Sequence, residues 1–168
     1  VQRQGRDVVF ILDVSRSMAV ADAPDQSTRL DASRAALLAS GLMQSGELAE
    51  TRLFAFAEKG DARSPADLPA LRADGESTRL HESVTDMLGA LRPGERPVGL
   101  FLFTDGHDFE GVSAARTVQA ATAKQTALFP VPVGRVDSSP DVAVRLTGSQ
   151  PSTFVRQQTQ IQASLRVR

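Results

Sequence analysis

Three oxygen-bearing side chains follow the first apolar run of the sequence. Residues 10–20 read FILDVSRSMAV, so Asp13, Ser15 and Ser17 recur at two-residue spacing. In an extended segment this spacing points all three side chains to the same side. A carboxylate and two hydroxyls are oxygen ligands of the kind that hard divalent cations prefer. The spacing therefore predicts part of a metal site.

A second carboxylate and a third hydroxyl are predicted to complete the set. Asp105 follows another apolar run in LFLFTDGHD, and Thr78 lies at the start of a predicted helix in GESTRLHESV. The carboxyl ends of strands in an open parallel sheet meet at one edge, where ligands bind. We expect the five side chains to share one cation, and their neutral hydroxyls favour Mg²⁺ over Ca²⁺. The predicted ligands are Asp13, Ser15, Ser17, Thr78 and Asp105.

Each of these residues also has a simpler interpretation. An Asp at the end of a strand is often a loop or capping residue, and Ser15 and Ser17 could be ordinary loop hydroxyls. Thr78 alone is most simply the N-cap of its helix. The conjunction of all five at the correct ends of their elements favours the metal site.

Four apolar runs predict the strands that position these residues, at 8–12, 52–57, 99–103 and 127–133. The first and third are continuous, as expected for parallel strands that are buried on both faces. The last contains Pro130 and Pro132, which cannot donate to a ladder, so it is predicted to lie toward the edge of the sheet.

Between the strands the apolar spacing becomes helical. The predicted inner faces are Leu30, Leu37, Leu38 and Leu42 in a first helix, Leu80, Val84, Met87, Leu88 and Leu91 in a second, and Ala114, Ala115, Val118 and Ala121 in a third. Strands that alternate with helices indicate an α/β fold with a parallel sheet.

The pattern changes after Gly134. Residues 135–141, RVDSSPD, read as a polar linker, and residues 142–168 alternate apolar and polar side chains as a β-strand tail does. We expect residues 142–147 and 159–167 to be extended. An apolar row on unpaired strands favours self-association through this tail.

Composition excludes several classes of function. The 168 residues carry 19 Lys and Arg against 20 Asp and Glu, scattered along the chain, so nucleic acid is not an expected partner. There is no cysteine for a disulfide or a thiolate metal site, and no apolar run approaches the roughly 20 residues of a membrane span. The chain begins with Val1 rather than Met, so we expect a piece of a larger protein.

The motifs resemble those of the von Willebrand factor A (vWA) domain. DVSRSM is similar to the DxSxS motif of that family, whose metal-ion-dependent adhesion site is completed by a downstream Thr and by an Asp in a TDG-like turn. Thr78 in STRL and Asp105 in FTDG match those positions. The resemblance covers about residues 6–134 and is strongest to a bacterial branch of aerotolerance-type and amidotransferase-like membrane-anchored proteins.

This resemblance implies a Rossmann-like, three-layer α/β/α domain over residues 1–134, with a mostly parallel sheet of about five strands. It also implies a non-enzymatic module in which Mg²⁺, or sometimes Mn²⁺ or Ca²⁺, bridges to an Asp or Glu of a protein partner. Such a domain would belong to a bacterial membrane-anchored protein. The sequence departs from the family in a short segment at 58–76 and in lacking a last strand and helix after Gly134. The tail, residues 142–168, resembles the truncated start of an immunoglobulin-like module.

Two alternatives to a binding module stay open. One is a metal-dependent hydrolase or phosphotransferase with Asp13 or Asp105 as base, which would need an extra titratable group near the cation. His107, Asp108 and Glu110 follow Asp105 in a loop, and only His107 and Asp108 could supply that group. The other alternative is a scaffold that binds no cation.

Other charged residues carry no predicted function. His81 is predicted to lie on the surface, on the polar side of the second helix. Arg29, Arg34 and Asp31 are interpreted as charges at the start of the first helix, which Ser27 or Thr28 would cap.

Overall fold

The computed structural model describes residues 7–44, 51–91, 97–108, 114–135, 142–149 and 161–167. The chain divides into two compact units, Val1–Arg135 and Val136–Arg168. Most of the predicted linker and residue Glu110 lie outside the described ranges.

The first unit is built on a five-stranded sheet. Its strands are β1 (Val8–Asp13), β2 (Thr51–Phe56), β3 (Gly60–Arg63), β4 (Gly99–Thr104) and β5 (Ala127–Pro132). Their order is β3-β2-β1-β4-β5, and every neighbouring pair is parallel except β2 with β3. The predicted α/β fold with a mostly parallel sheet is confirmed. β1 lies at its centre, between β2 and β4.

Three helices follow strands of this sheet: α1 (Arg29–Ala39), α2 (Leu80–Ala90) and α3 (Ala114–Ala123). Alternate residues of β1 face opposite layers. Val9 and Ile11 pack in a core with α2 and α3, whereas Phe10 and Leu12 pack in a second core with α1. The result is the expected three-layer arrangement.

Two predicted helix faces need correction. α1 ends at Ala39, before Gly41 with its positive φ of 67°, so Leu42 falls in a separate 3-10 turn (Leu42–Gln44). Leu38 is 53 % exposed, while Leu37 is buried. In α3, Val118 is 59 % exposed and its neighbour Thr117 is buried instead. Leu30 and Leu37 of the first face and Ala121 of the third are buried as predicted, whereas Ala114 and Ala115 are exposed.

The short segment at 58–76 contains β3 and a 3-10 turn at Pro65–Ala70. Ser64 caps this turn in a reciprocal arrangement with Asp67, and Leu68 from the turn is fully buried in the core beside α1. The segment in which the sequence departs from the vWA pattern therefore contains an edge strand of the sheet and a 3-10 turn that packs on the core.

The outer edge of β5 is nearly devoid of backbone donors. The amide of Val133, just beyond β5, donates to the carbonyl of Thr104 in β4. Backbone N–H groups alternate in direction along a strand, so those of Val131 and Phe129 also point toward β4. Pro130 and Pro132 therefore face outward and present no N–H. This geometry confirms the predicted edge position of the strand.

The second unit is an antiparallel pair, β6 (Val142–Ser149) and β7 (Ile161–Val167). Val144 lies opposite Leu165, and Leu146 lies opposite Ala163, so the apolar residues share a face. The large apolar side chains there are about two-thirds exposed. The predicted extended conformation is confirmed for residues 142–147 and 161–167, whereas residues 159 and 160 lie outside the described ranges.

Among the helices that the structure describes, none is long and apolar enough to cross a membrane.

Candidate metal-ion site

Asp13 ends the central strand with its side chain fully buried. One carboxylate oxygen, Oδ1, accepts from the backbone N–H of Ser15 at 2.9 Å, and the other accepts from the hydroxyl of Thr104 at 2.8 Å. Burial raises the pKa of Asp13 above its ordinary value, although the hydrogen bonds from Ser15 and Thr104 oppose this. The negative charge of Asp105 raises the pKa further. A cation beside Asp13 would oppose both the effect of burial and the effect of the Asp105 charge on this pKa.

Ser15 and Ser17 converge through a turn rather than an extended segment. Ser15 is extended, but residues Arg16–Ala19 form a 3-10 turn, so the predicted extended path through Ser17 is wrong. The two hydroxyls nevertheless lie 3.0 Å apart. The turn forms because fully buried Met18 anchors it in the core.

The backbone around Ser15 is fixed from the side by Gly75. The amide of Arg16 donates to the carbonyl of Gly75 at 2.9 Å, and the amide of Gly75 donates to the carbonyl of Val14 at 3.1 Å. A Cβ at position 75 would overlap the side chain of Ala57. Glycine permits this close approach of two chain segments.

Asp105 lies directly after β4, with only 3 % of its side chain exposed. Its Oδ1 accepts from the backbone N–H of His107 at 3.1 Å, and its Oδ2 accepts from Nη1 of Arg29 at 2.6 Å. Burial raises the pKa of Asp105, but contact with the Ser17 hydroxyl, the His107 N–H and the charges of His107 and Arg29 lower it overall. Asp105 is therefore held as a carboxylate.

Thr78 is buried beside the end of β2. The amide of Arg79 donates to the carbonyl of Ala57 at 2.9 Å, which places this segment next to the strand that neighbours β1. The N-cap of α2 is Arg79, so Thr78 is not the cap of that helix. Within the described ranges, no hydrogen bond joins its hydroxyl to the other four predicted ligands. Contacts and charge interactions thus link Asp13, Ser15, Ser17 and Asp105, and backbone position alone puts Thr78 near them.

Two residues of the site had no predicted role. Thr104 donates to Asp13 and also accepts from the N–H of Gly106 at 3.1 Å, so it joins the ends of β1 and β4. Its position directly before Asp105, at the end of an apolar run, could have identified it. Arg29 was interpreted as a helix-start charge, and nothing local in the sequence indicates its contact with a residue 76 positions away.

The other side chains of the Asp105 loop point in different directions. His107 is exposed, with Nδ1 3.3 Å from Oδ1 of Asp105. Asp108 instead approaches Nε2 of His81 at 3.6 Å, and Nδ1 of His81 lies 3.0 Å from the hydroxyl of Thr117. The side chain of His81 is only 17 % exposed, so its predicted surface position is wrong. It lies between α2 and α3 because Thr117 offers a buried polar partner there.

The donor set fits a hard cation. The four linked residues offer two carboxylates and two hydroxyls, all oxygen, and both carboxylates are largely withdrawn from solvent. No group of three or more His, Cys, Asp or Glu side chains suitable for a metal occurs in the part of the chain that the structure describes. A cation here would therefore depend on hydroxyls and water for its remaining ligands, which suits Mg²⁺.

Searches of protein-family models and of curated proteins found no match to this sequence. Solved structures do match. An aerotolerance-related membrane protein from Bacteroides fragilis is 20 % identical with a TM-score of 0.66, over 94 % of this chain and 81 % of that one. The conserved hypothetical protein BatB from Bacteroides thetaiotaomicron is 20 % identical with a TM-score of 0.58, over 76 % of this chain and 66 % of that one.

A third similar structure, the Ro (RSR) protein of Deinococcus radiodurans, is 21 % identical with a TM-score of 0.57 over 83 % of this chain. This chain spans only 29 % of the length of that protein. At such identities the likeness concerns the fold alone. It bears out the vWA type of fold that the DVSRSM and FTDG motifs indicated.

Proposed function

We propose that this vWA-like domain is a non-enzymatic binding module, which captures an Asp or Glu of a protein partner through a divalent cation, with Mg²⁺ as the preferred ion. Asp13, Ser15, Ser17, Thr78 and Asp105 would hold the ion. When bound, the cation supplies an electrophilic centre for an anionic oxygen from outside. The chain's own residues position the oxygens and exclude water from Asp13.

The observation that carries this proposal is the burial of two carboxylates beside two convergent hydroxyls. Asp13 is fully buried and Asp105 nearly so, and the negative charge of Asp105 raises the pKa of Asp13. The three hydroxyls carry no charge and Asp105 already pairs with Arg29, so the two carboxylates would not fully neutralise a bound divalent cation, which would retain affinity for another anion. A carboxylate of a partner protein meets that requirement.

The hydrolase or phosphotransferase alternative lacks support from those neighbouring side chains that the structure describes. It needs a titratable group free to act on a substrate beside the cation. Asp108 approaches His81 rather than the site, and the Nδ1 of His107 lies against Asp105. Neither side chain is arranged as an independent base.

Calorimetric titration of the metal-free protein with Mg²⁺, Mn²⁺ and Ca²⁺ tests the metal site. We expect saturable binding of at least one ion, and its loss in Asp13→Ala and Asp105→Ala. Ser15→Ala should weaken binding without unfolding the protein. Asp61→Asn is a matched control, because Asp61 is an exposed carboxylate on the far edge strand β3. Equal binding by all variants, or none by the wild type, would contradict the proposal.

Partner capture needs a separate test. Immobilised peptides that contain a central Asp or Glu should bind the domain with Mg²⁺ present and release it with chelator. Peptides with Asn or Gln at that position are the control, since they keep the size and lose the charge. Binding that is indifferent to the chelator or to this exchange would overturn the carboxylate-capture mechanism while leaving the metal site intact.

A further inference from the structure

Arg29 places a second, permanent cation at the candidate metal site. Its Nη1 lies 2.6 Å from Oδ2 of Asp105, in a pair whose side chains are 14 % and 3 % exposed. The same Nη1 lies 3.4 Å from the carbonyl oxygen of Ser17. The guanidinium thus contacts two of the five residues that are proposed to hold the metal.

The guanidinium is fixed in this place from its other side. Asp22 accepts from Nε at 3.0 and 3.1 Å and from Nη2 at 2.6 Å, which forms a bidentate pair. The backbone amide of Arg29 also donates to the carbonyl of Val20 at 3.0 Å. Asp22 therefore aims the remaining nitrogen, Nη1, at Asp105.

The chain also leaves room for this side chain. Gly134 has φ of 99°, and a Cβ there would lie 2.6 Å from Nε of Arg29. Glycine at this position lets the backbone after β5 pass over the guanidinium. Three separate segments, at Asp22, Asp105 and Gly134, accommodate one arginine.

We infer that Arg29 is a built-in counter-ion that competes with a divalent cation for Asp105, an inference that rests on the proposed metal site. A positive charge in contact with Asp105 reduces the attraction of that carboxylate for any other cation. A metal must share Asp105 with Arg29 or displace it. The same contact offsets the charge of Asp105 when no metal is bound. Arg29 thereby keeps metal affinity low and the metal-free site folded.

Titration of Mg²⁺ into wild type and Arg29→Gln tests this competition. Removing one charge at this distance should tighten metal binding on the order of tenfold in Kd. The metal-free Arg29→Gln protein should melt at a lower temperature than the wild type, because Asp105 and Asp22 lose their partner. Arg63→Gln, which removes an exposed charge on β3, should change neither quantity.

A double variant guards against unfolding of the single one. Asp22→Asn with Arg29→Gln keeps the net charge of the protein and leaves no unpaired carboxylate at position 22. It should also bind Mg²⁺ more tightly than the wild type. Equal or weaker binding by the folded variants would overturn the inference and leave the proposed function standing.

Two further results separate the inference from the proposed function. Binding by the Arg29 variants but not by the wild type would support competition and overturn metal-dependent capture by the natural chain. Absence of binding in every variant would overturn both.

Discussion

Thr104 shows how one hydroxyl connects two strands at the site. It donates to buried Asp13 and accepts from the amide of Gly106, so both of its hydrogen bonds lie at the junction of β1 with the Asp105 loop. Valine has almost the same shape but neither bonding capacity. Its introduction would leave a buried carboxylate oxygen and a backbone amide short of a partner.

We expect Thr104→Val to lower the free energy of unfolding by about 1–3 kcal/mol and to weaken Mg²⁺ binding, because unsatisfied buried groups are unfavourable. Denaturant unfolding and calorimetric titration measure the two effects. Thr122→Val is the matched control, since the Thr122 hydroxyl bonds only its own helix on an exposed face. Equal effects of the two substitutions would argue against a special role for Thr104.

At the residue level, local spacing predicted which side chains meet, although their role as metal ligands stays a prediction. Asp13, Ser15, Ser17 and Asp105 were identified from spacing after apolar runs, and the structure joins them by contacts and by charge. Arg29 was missed because its partner lies 76 residues away, and a helix-start arginine has an adequate local explanation. Which arginine reaches a site depends on tertiary packing, which spacing does not encode.

At the scale of elements, the close approach of Gly75 to the β1 loop has a specific requirement. We expect Gly75→Ala to destabilise the domain by about 1–3 kcal/mol, because the new methyl group overlaps Ala57 and forces two backbones apart. Thermal unfolding with and without Mg²⁺ measures the change.

Gly89 provides the control for that substitution. It lies inside α2, and a Cβ there would meet no atom within 4 Å. Gly89→Ala should therefore stabilise the protein by about 0.5–1 kcal/mol through helix propensity. Destabilisation of similar size at both positions would show that the Gly75 contact has no special importance.

His81 links α2, α3 and the Asp105 loop through Thr117 and Asp108. In a double-mutant cycle of His81→Ala and Thr117→Ala, we expect a coupling free energy of about 0.5–3 kcal/mol, as for other residues in contact. Unfolding of the four proteins by denaturant gives this value. Additive effects within the error of the method would mean that the hydrogen bond does not stabilise the domain.

The fold elements were predictable to different degrees. β1 and β4 were evident because buried parallel strands read as continuous apolar runs, with few competing interpretations. β3 was not, since GDAR at residues 60–63 is exposed and carries no apolar period. The inner face of α3 was misplaced because alanines on both sides of a helix give little contrast, and the buried Thr117 is polar.

For the whole molecule, the exposed face of β6 and β7 predicts concentration-dependent association. Val144, Leu146, Ile161 and Leu165 each leave about two-thirds of their surface in solvent, and a two-stranded pair cannot bury them by itself. Sedimentation velocity of the full chain should show dimers or larger species that Leu165→Lys diminishes. Gln162→Lys adds the same charge beside it and should leave association unchanged.

The two units should also be separable. Both cores of the α/β unit consist of residues before position 135. A chain that ends at Arg135 should therefore retain cooperative thermal unfolding and the metal affinity of the full chain, although it lacks β6 and β7. A non-cooperative transition in the shortened chain would contradict this independence.

The two outward-facing prolines of β5 bear on how copies of this domain behave when they are crowded together. Strand addition needs alternating N–H donors and carbonyl acceptors along a free edge. The outer edge of β5 offers carbonyl acceptors but a single N–H donor, that of Leu128. A passing extended peptide would find no continuous ladder there. Pro130 and Pro132 thus act as a stop to sheet growth, so the domain can present the loops of its candidate site at high local density without seeding cross-β assembly from this side.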